Sequence, residues 1–257
     1  MSGKNTNVGL PIGKVLSKEV NMSARTKSYT LDASQGLATR YAQSTKWDTF
    51  DRNRIFVEEA RKYRNVLETG CSTGFLSGLI AANGARVVGI EIDKEAAKIA
   101  SQNCDRVLSC NLNSPDWVNA VDERFDLVTF GDVLEHLNNP VAVLREAQKI
   151  LAPGGRVLIC LPNIAHWTMR ATLLAGNFRY ESVGILDFTH LRFFTVESAR
   201  EFIAEAGYRI IWFRPIIGGR FNGKLRAMWQ RLANTVPGLF AYQIMFLVEP
   251  IPDSGSD

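Results

Sequence analysis

The sequence predicts an α/β fold with a doubly wound, mostly parallel sheet, and two patterns indicate it. Short runs rich in β-branched residues alternate with helical stretches between residues 65 and 161, as in right-handed βαβ units. A glycine-rich turn, GCSTG at residues 70–74, follows the first of these runs and leads into an apolar helix. In open α/β sheets such turns lie at the carboxyl ends of the strands, where ligands bind.

The predicted elements follow one another in a regular order. Strands are predicted at residues 65–69, 85–91, 106–110, 125–130, 156–161, 208–214 and 241–249. Helices are predicted between the first five strands at residues 75–83, 94–103, 114–120 and 140–151. The fourth helix is predicted to stop at LAPGG, residues 151–155, because proline cannot continue a helix and glycine favours turns. A later helix is predicted from its cap, Thr195, to Ala206.

The composition is typical of a globular, cytoplasmic protein. The chain has 257 residues, of which 46% are hydrophobic and 22% are charged, and its net charge of +4 is mild. Its longest apolar runs fall short of the roughly 18 residues that span a bilayer. The cysteines lack CxxC spacing, which predicts reduced thiols in the cytoplasm. They are Cys71, Cys104, Cys110 and Cys160.

The domain organisation is predicted as one domain between two tails. Residues 1–27 are predicted to form a flexible, mostly basic tail, and residues 251–257 a second, polar one. Residues 28–250 are predicted to form the single domain. Within it, residues 162–194 form a long insertion after the fifth strand, and such an insertion is usually a lid or a substrate-binding element.

Residues 215–240 predict a basic amphipathic helix, because they contain four basic residues and no acid. Leu225, Met228, Trp229 and Leu232 recur at helical spacing and share one face. Three alternatives are open for this face: packing on the core or as a lid, peripheral contact with an anionic membrane, or a homodimer contact. A monomer and a homodimer are both compatible with the sequence. No nucleic-acid partner is predicted, since the chain has no recognisable nucleic-acid module.

The glycine turn distinguishes three classes of ligand. A triphosphate-binding loop needs a lysine after its last glycine, where this chain has Phe75. A dinucleotide-binding turn has a middle glycine, where this chain has Ser72, and Glu68 stands just before the turn. A carboxylate at that place suits a cation better than a pyrophosphate. The sequence therefore favours a ligand that carries an amine.

The stretch VLETGCSTGFLS, residues 66–77, resembles the first motif of the class I S-adenosylmethionine-dependent methyltransferases. Four later stretches resemble further motifs of this family in the same order, so that the resemblance covers roughly residues 64–215. They are VVGIEID (87–93), VLSCNLN (107–113), FDLVTFGDVLEHL (125–137) and LREAQKILAPGGRVLICLPN (144–163). The resemblance implies a Rossmann-like, seven-stranded sheet with an antiparallel last strand. It also implies S-adenosyl-L-methionine as cofactor and S-adenosyl-L-homocysteine as product.

The resemblance also implies which residues bind the cofactor. Glu91, 23 residues after Glu68, would accept hydrogen bonds from both ribose hydroxyls. Asn111 and the backbone amide of Leu112 would meet the adenine. Ser72 stands where the family usually has a glycine. The complete predicted set is Glu68, Gly70, Cys71, Ser72, Gly74, Glu91, Ile92, Asn111, Leu112, Gly131 and Asp132.

All three histidines follow predicted strands at the ligand-binding edge. Methyl transfer from a sulfonium needs alignment of the acceptor and exclusion of water, and a hydroxyl acceptor must also lose a proton, which suits histidine. We therefore predict that His190 contacts the acceptor or acts as the base. His136, His166 and Asp187 are further catalytic candidates, and Asp187, three residues before His190, would orient that histidine or bind a hydroxyl. No metal site is predicted, because the chain shows no compact spacing of ligands. An open alternative is that two histidines with Asp132 or Asp187 hold a divalent ion, since some methyltransferases orient a diol with such an ion.

The sequence thus predicts a methyltransferase that acts on a small-molecule, sugar or lipid-linked acceptor, most readily at a hydroxyl oxygen. Two alternatives are open. One is methylation of nitrogen or carbon, and the other is a non-catalytic partner protein that binds S-adenosylmethionine.

Overall fold

The computed structural model describes residues 50–218 and 223–252. Its strands are β1 (Asn65–Thr69), β2 (Arg86–Ile90), β3 (Arg106–Leu108), β4 (Phe125–Gly131), β5 (Leu151–Pro162), β6 (Tyr208–Ile216) and β7 (Gln243–Pro250). They form one seven-stranded sheet in the order β3-β2-β1-β4-β5-β7-β6. The first five strands are parallel, and β7 is antiparallel to both β5 and β6. The predicted fold class is therefore confirmed.

The helices in the described residues are α1 (Phe50–Ala60), α2 (Phe75–Ala81), α3 (Lys94–Ala100), α4 (Pro140–Glu146), α5 (Trp167–Leu174), α6 (Val196–Glu205), α7 (Gly223–Thr235) and α8 (Pro237–Phe240). Three 3-10 turns lie at Trp117–Ala120, Leu134–His136 and Ala147–Ile150. Side chains fix where several helices begin. Asp93 accepts hydrogen bonds from the first turn of α3, and Thr195 forms a reciprocal capping box with Ser198 at the start of α6.

The helical stretch ends just before LAPGG, because α4 stops at Glu146 and the 3-10 turn that follows it stops at Ile150. Unlike the prediction, the proline and glycines belong to β5, which begins at Leu151. Gly154 adopts φ +76°, and the pairing of β4 with β5 shifts its register between Phe125 and Leu127. The glycines therefore serve an irregular start of the strand. The helix predicted at residues 114–120 is also reduced to a 3-10 turn.

The insertion at residues 162–194 is more ordered than the sequence predicts. It contains α5, none of whose side chains is buried. An isolated bridge between Asn163 and Phe194 joins the two ends of the insertion. Its later part is packed, because Ile185, Leu186 and Asp187 are all buried. The predicted role as a lid stays a prediction.

The hydrophobic core fills both faces of the sheet. Successive residues of a strand point to opposite faces, so Val66 and Leu67 of β1 belong to different buried clusters. Helix α1 covers one face through Phe56, and helices α4 and α6 cover the other through residues such as Leu144 and Phe202. Both faces are thus occupied by apolar side chains. The carboxyl edge of the parallel strands is where polar groups gather.

The apolar face predicted in residues 215–240 is only partly covered by other described residues. Trp229 of α7 stacks on Trp167 of α5, with ring centroids 6.2 Å apart. Leu225 and Met228, predicted on the same face, are each 48% exposed, and the buried residue of α7 is Ala233. The apolar face is therefore divided between a contact with α5 and solvent. No described helix is both long and apolar enough to cross a membrane.

Both predicted tails lie largely outside the described residues. Residues 1–27 and 253–257 lie outside the described residues, as do residues 28–49 of the predicted domain and the short stretch 219–222.

Candidate active site

The turn after β1 has a backbone that favours glycine. Gly70, Ser72 and Gly74 have φ angles of +61°, +52° and +77°. A Cβ added to Gly70 would lie 2.7 Å from the side chain of Val133, and one added to Gly74 would lie 2.9 Å from the backbone of Ala100. Ser72 therefore occupies a left-handed conformation that disfavours side chains by about 1–2 kcal/mol. This strain is a physical reason for glycine at that position in similar turns.

Glu91 joins this turn to the end of β2. Its carboxylate accepts hydrogen bonds from the backbone N–H groups of Ser72 and Asp93, both at 2.8 Å. Each carboxylate oxygen can accept a further bond, so the side chain retains capacity for hydroxyl groups. Next to it, Ile92 is 59% exposed and offers an apolar surface. The predicted contact with ribose stays a prediction, and this geometry is compatible with it.

Glu68 lies buried beneath the turn. Its carboxylate accepts a hydrogen bond from the Ser77 hydroxyl. Burial raises the pKa of Glu68 to about 8. A neighbouring cation would favour the charged form of such a carboxyl. The residue therefore suits the amine predicted for the ligand.

Two predicted cofactor residues shape the turn after β3. The side-chain oxygen of Asn111 accepts a hydrogen bond from the N–H of Asn113 at 2.9 Å, as in an Asx turn. Leu112 is buried and lines a cavity of about 230 Å³ together with Asn138 and Asn139. Asn111 thus has a structural role, and its contact with adenine stays a prediction.

The thiol of Cys71 points into the protein. A Cβ added to Gly89 of β2 would lie 2.5 Å from Cys71 Sγ and 3.2 Å from Cys104 Sγ. The backbone N–H of Cys71 also donates to the carbonyl of Ile90 at 3.0 Å. Cys71 therefore supports the turn from below, and its thiol is directed away from the open side of the turn.

The residues after β4 are held by α1 and β7. A Cβ on Gly131 would lie 3.2 Å from the ring of Phe56, so the glycine allows α1 to approach. Asp132 has φ +57° and forms an ion pair with Arg52 of α1. Its other oxygen accepts a hydrogen bond from Gln243 at 2.8 Å. Arg52 was not predicted, because it lies in a stretch of alternating charges without a motif.

His136 and His190 lie side by side, a proximity that their positions after predicted strands left open. Their ring centroids are 4.7 Å apart in an edge-to-face arrangement. The insertion brings His190 to this place, since the backbone N–H groups of Leu191 and Arg192 both donate to the carbonyl of Glu135, at 2.8 and 3.0 Å. Burial lowers the pKa of both histidines, which keeps them neutral near pH 7.

Asp187 is linked to His136 through Thr189. The Thr189 hydroxyl donates to Asp187 at 2.6 Å and lies 3.0 Å from His136 Nδ1. The sequence predicts that Asp187 orients His190 or binds a hydroxyl. Its observed link to His190 runs through the backbone, where the His190 N–H donates to the Asp187 carbonyl at 3.0 Å. Asp187 therefore positions His136 by its side chain and His190 by its main chain.

His166 serves a different purpose from the other two histidines. Its Nδ1 lies 2.7 Å from the Thr168 hydroxyl and accepts from the Thr168 N–H, so the side chain caps α5. Its ring packs edge-on against Tyr242 at 5.5 Å. Burial lowers its pKa to about 4. In the described part of the chain, the close group of potential ligands contains His136 and His190 but not His166.

Glu135 was not predicted, although it directly precedes His136. Its side chain is fully buried, and neither carboxylate oxygen has a hydrogen-bond partner among the described residues. Its Oε1 lies 3.9 Å from His190 Nε2. Burial raises the pKa of Glu135 to about 8. The sequence LEHL places Glu135 next to His136, which is the only hint of this group in the sequence. It does not show that both side chains face His190.

Comparisons with known proteins agree on the type of domain. A family profile described as a methyltransferase domain matches residues 40–211. The ubiquinone biosynthesis O-methyltransferase of Aeromonas salmonicida is 31% identical over 104 residues, which are 39% of this chain and 44% of that protein. This match therefore spans less than half of the relative's length.

Two further similarities cover more of the chain. The ubiquinone biosynthesis O-methyltransferase of Hydrogenovibrio crunogenus is 25% identical over 194 residues, 73% of this chain and 79% of that protein. The structure of the N-methyltransferase NodS from Bradyrhizobium japonicum, in complex with S-adenosyl-L-homocysteine, superposes with a TM-score of 0.55. That similarity covers 84% of this chain and 95% of that one at 17% identity, and it concerns the fold alone.

Proposed function

The chain belongs to the methyltransferase domain family, and we propose that it transfers the methyl group of S-adenosyl-L-methionine to a hydroxyl oxygen of a small-molecule acceptor. The family match and the sheet order confirm the predicted class I S-adenosylmethionine-dependent type. One observation carries the proposal. The cofactor-type turn after β1 packs on Val133, three residues before the half-buried His136. Donor and acceptor groups would thus meet at two adjacent strand ends.

The residues around the turn fit this cofactor in chemical character. Glu68 supplies a buried carboxyl for an amine, and Glu91 supplies acceptor capacity for the ribose hydroxyls. Ile92 supplies an exposed apolar surface for the adenine. The bound cofactor would supply an activated methyl group on a sulfonium. The protein then has to align the acceptor with it and exclude water.

The histidine pair supports a hydroxyl as the acceptor. Because burial lowers the pKa of His136 and His190, both are neutral near pH 7 and can contact or deprotonate a hydroxyl. An amine acceptor needs only to arrive neutral, so it requires no such pair. The two similar proteins from Aeromonas salmonicida and Hydrogenovibrio crunogenus are O-methyltransferases, which supports the same choice.

Exposed apolar side chains on the insertion favour an acceptor with an apolar part. Leu173 and Leu174 are 51% and 90% exposed, and Phe178 and Tyr180 are about half exposed. Such side chains are suited to cover a hydrophobic or lipid-linked molecule. We propose that the insertion acts as the acceptor-binding element.

The test is to measure S-adenosyl-L-homocysteine formation with a panel of phenolic, sugar and lipid-linked hydroxyl acceptors, and with amine analogues of the same shapes. We expect turnover with a hydroxyl acceptor. We also expect apolar substituents on the acceptor to lower its KM. Methylation of the amine analogues alone would contradict the proposal. Tight cofactor binding without turnover on any acceptor would favour a non-catalytic binding protein.

A further inference from the structure

We propose that Glu135, His136 and His190 bind a divalent transition-metal ion, and that this ion holds the acceptor hydroxyl during methyl transfer. The second part rests on the proposed function, whereas the metal site can be tested without it. This proposal departs from the sequence prediction of no metal site. It involves a glutamate that the sequence analysis did not single out.

The three side chains are arranged closely enough to share one ion. One potential ligand atom from each residue lies within 4.8 Å of the other two. Ligands about 2.1 Å from a metal lie at most about 4.2 Å apart, so side-chain adjustments below about 1 Å would complete the set. These residues come from the turn after β4 and from the insertion, which are joined by the backbone bonds to the Glu135 carbonyl.

Glu135 is the observation that points most directly to a ligand. It is 0% exposed, and neither oxygen has a hydrogen-bond partner among the described residues. A buried carboxyl without partners is costly, and such groups in native proteins usually have a ligand, water or ion. The distance of 3.9 Å to His190 Nε2 is too long for a hydrogen bond, but an ion between the two atoms would satisfy both.

The histidines are held in the way that metal ligands usually are. His190 Nδ1 lies 3.1 Å from the carbonyl of Ile185, and a carbonyl can only accept. Nδ1 therefore carries the proton, and Nε2 presents its lone pair towards Glu135. His136 Nδ1 lies 3.2 Å from the carbonyl of Thr189, which selects the same tautomer. Hydrogen bonds of this kind on the far nitrogen orient metal-binding imidazoles.

The ligand types indicate the class of ion. Two imidazoles and one carboxylate suit zinc, iron, manganese or cobalt, whereas magnesium and calcium prefer oxygen ligands alone. Three protein ligands leave coordination positions open, as in catalytic sites. The acceptor hydroxyl would fill one of them. A vicinal pair of oxygens could fill two, which would favour a diol or catechol.

The ion would take over part of the role that a general base has otherwise. A metal-bound hydroxyl has a lowered pKa and loses its proton to solvent. The oxygen lone pair then forms the bond to the methyl carbon as the carbon–sulfur bond breaks, and sulfur keeps that electron pair. The products are a methyl ether, S-adenosyl-L-homocysteine and one proton. The histidines in this scheme are ligands, and Asp187 is a positioning residue that acts through Thr189.

The site is tested by titrating chelator-treated, full-length protein with Co²⁺ and following its visible absorption and binding heat. We expect one Co²⁺ per chain, with a spectrum of mixed nitrogen and oxygen ligands. Glu135→Gln and His190→Ala should each weaken Co²⁺ binding at least about tenfold. Glu58→Gln, at an exposed glutamate of α1, and His166→Ala, at the histidine outside the group, are the matched controls and should keep it.

Folding is checked in every variant by thermal melting and by binding of S-adenosyl-L-homocysteine, which does not need the metal ligands. A variant that binds this product normally but loses Co²⁺ supports the site. Absence of Co²⁺ binding to the wild-type protein, or equal binding by Glu135→Gln, His190→Ala and the controls, overturns it.

A second readout separates this inference from the proposed function. Hydroxyl methylation that is abolished by chelation and restored by added Co²⁺, Zn²⁺ or Mn²⁺ supports the role of the ion. Hydroxyl methylation that survives chelation overturns that role but leaves the proposed function intact, with His190 as base. Co²⁺ binding to the three residues without methylation of any hydroxyl keeps the metal site and removes the proposed function.

Discussion

The two halves of the candidate site are built in different ways. In the cofactor half, the turn at residues 70–74 and Glu91 are close together in the sequence, and backbone N–H groups and left-handed residues make the geometry. In the acceptor half, Glu135 and His190 are 55 residues apart, and side chains converge through a folded insertion. A site made of backbone geometry leaves a compact motif in the sequence. A site made of converging side chains leaves no motif, because its residues are far apart in the sequence.

The unfavourable energy terms also differ between the two halves of the site. The cofactor half contains backbone strain, because Ser72 has φ +52° and the neighbouring glycines admit no side chain. The acceptor half contains electrostatic tension, because Glu135 is buried without a hydrogen-bond partner among the described residues. Substitutions should therefore act through conformation in one half and through charge and ligation in the other.

The largest effect is expected in the acceptor half. His190→Ala should reduce methyl transfer by about 10²–10⁴-fold while S-adenosyl-L-homocysteine still binds, because His190 is proposed to act on the acceptor and is not among the predicted cofactor residues. Single-turnover rates together with product-binding calorimetry would measure this. His166→Ala is the comparison: it should lose a helix cap worth about 1 kcal/mol and affect the rate far less. Equal rate losses in the two variants would contradict the division between the histidines.

The next effect is expected in the cofactor half. Glu91→Gln should weaken S-adenosyl-L-homocysteine binding by roughly 100-fold, about 3 kcal/mol, because a charged acceptor of two backbone N–H bonds is lost along with the ribose partner. Calorimetric titration would measure it. Glu95→Gln is the control. Glu95 is an exposed residue in the first turn of α3, so this variant should bind S-adenosyl-L-homocysteine like the wild type. Unchanged binding by Glu91→Gln would remove the ribose assignment.

A pH effect should distinguish Glu68 from the surface carboxyls. Its pKa of about 8 lies above the usual value of 4.5, so the folded protein holds a proton that the unfolded chain has lost between these pH values. The free energy of unfolding should therefore fall as pH rises from about 4.5 to about 8, by at most about 1.4 kcal/mol per pH unit from this group, and then level off.

Chemical denaturation of wild type and Glu68→Gln across this range would measure the contribution of Glu68. The variant should show a shallower fall, because its amide does not titrate. S-adenosyl-L-homocysteine should flatten the wild-type fall too, since its amine favours the charged carboxyl. An identical pH profile in wild type and variant would show that Glu68 ionises normally.

The smallest effect is expected at the strained residue of the turn. Ser72→Gly should raise the free energy of unfolding by about 1 kcal/mol, because glycine adopts φ +52° without a side-chain penalty. Ser101→Gly is the matched control, because Ser101 has φ −61°, and glycine there should destabilise by about 0.5–1 kcal/mol. Thermal or urea melts of both variants would decide, and a loss of stability in Ser72→Gly would contradict the strain.

Much of the fold was predictable because its signals are local. The predicted bounds of β1 agree with the structure, and those of the other strands agree in most positions, since hydrophobic runs and turns are read along the chain. The helical turns end just before LAPGG as predicted, but only the pairing with β4 shows that its proline and glycines already belong to β5. Helix α5 was missed because no side chain in it is buried.

The candidate site shows the same difference between local and long-range signals. The sequence by itself determined the succession of strands and helices along the chain, the glycine turn and Glu91 beside it, because each depends on residues that are near one another in the chain. Only the tertiary structure decided that Glu135 faces His190, that His166 caps a helix, and that Asp187 reaches His136 through Thr189. The physical reason is that burial and side-chain convergence depend on how the insertion packs against the end of β4, which no short stretch of sequence contains.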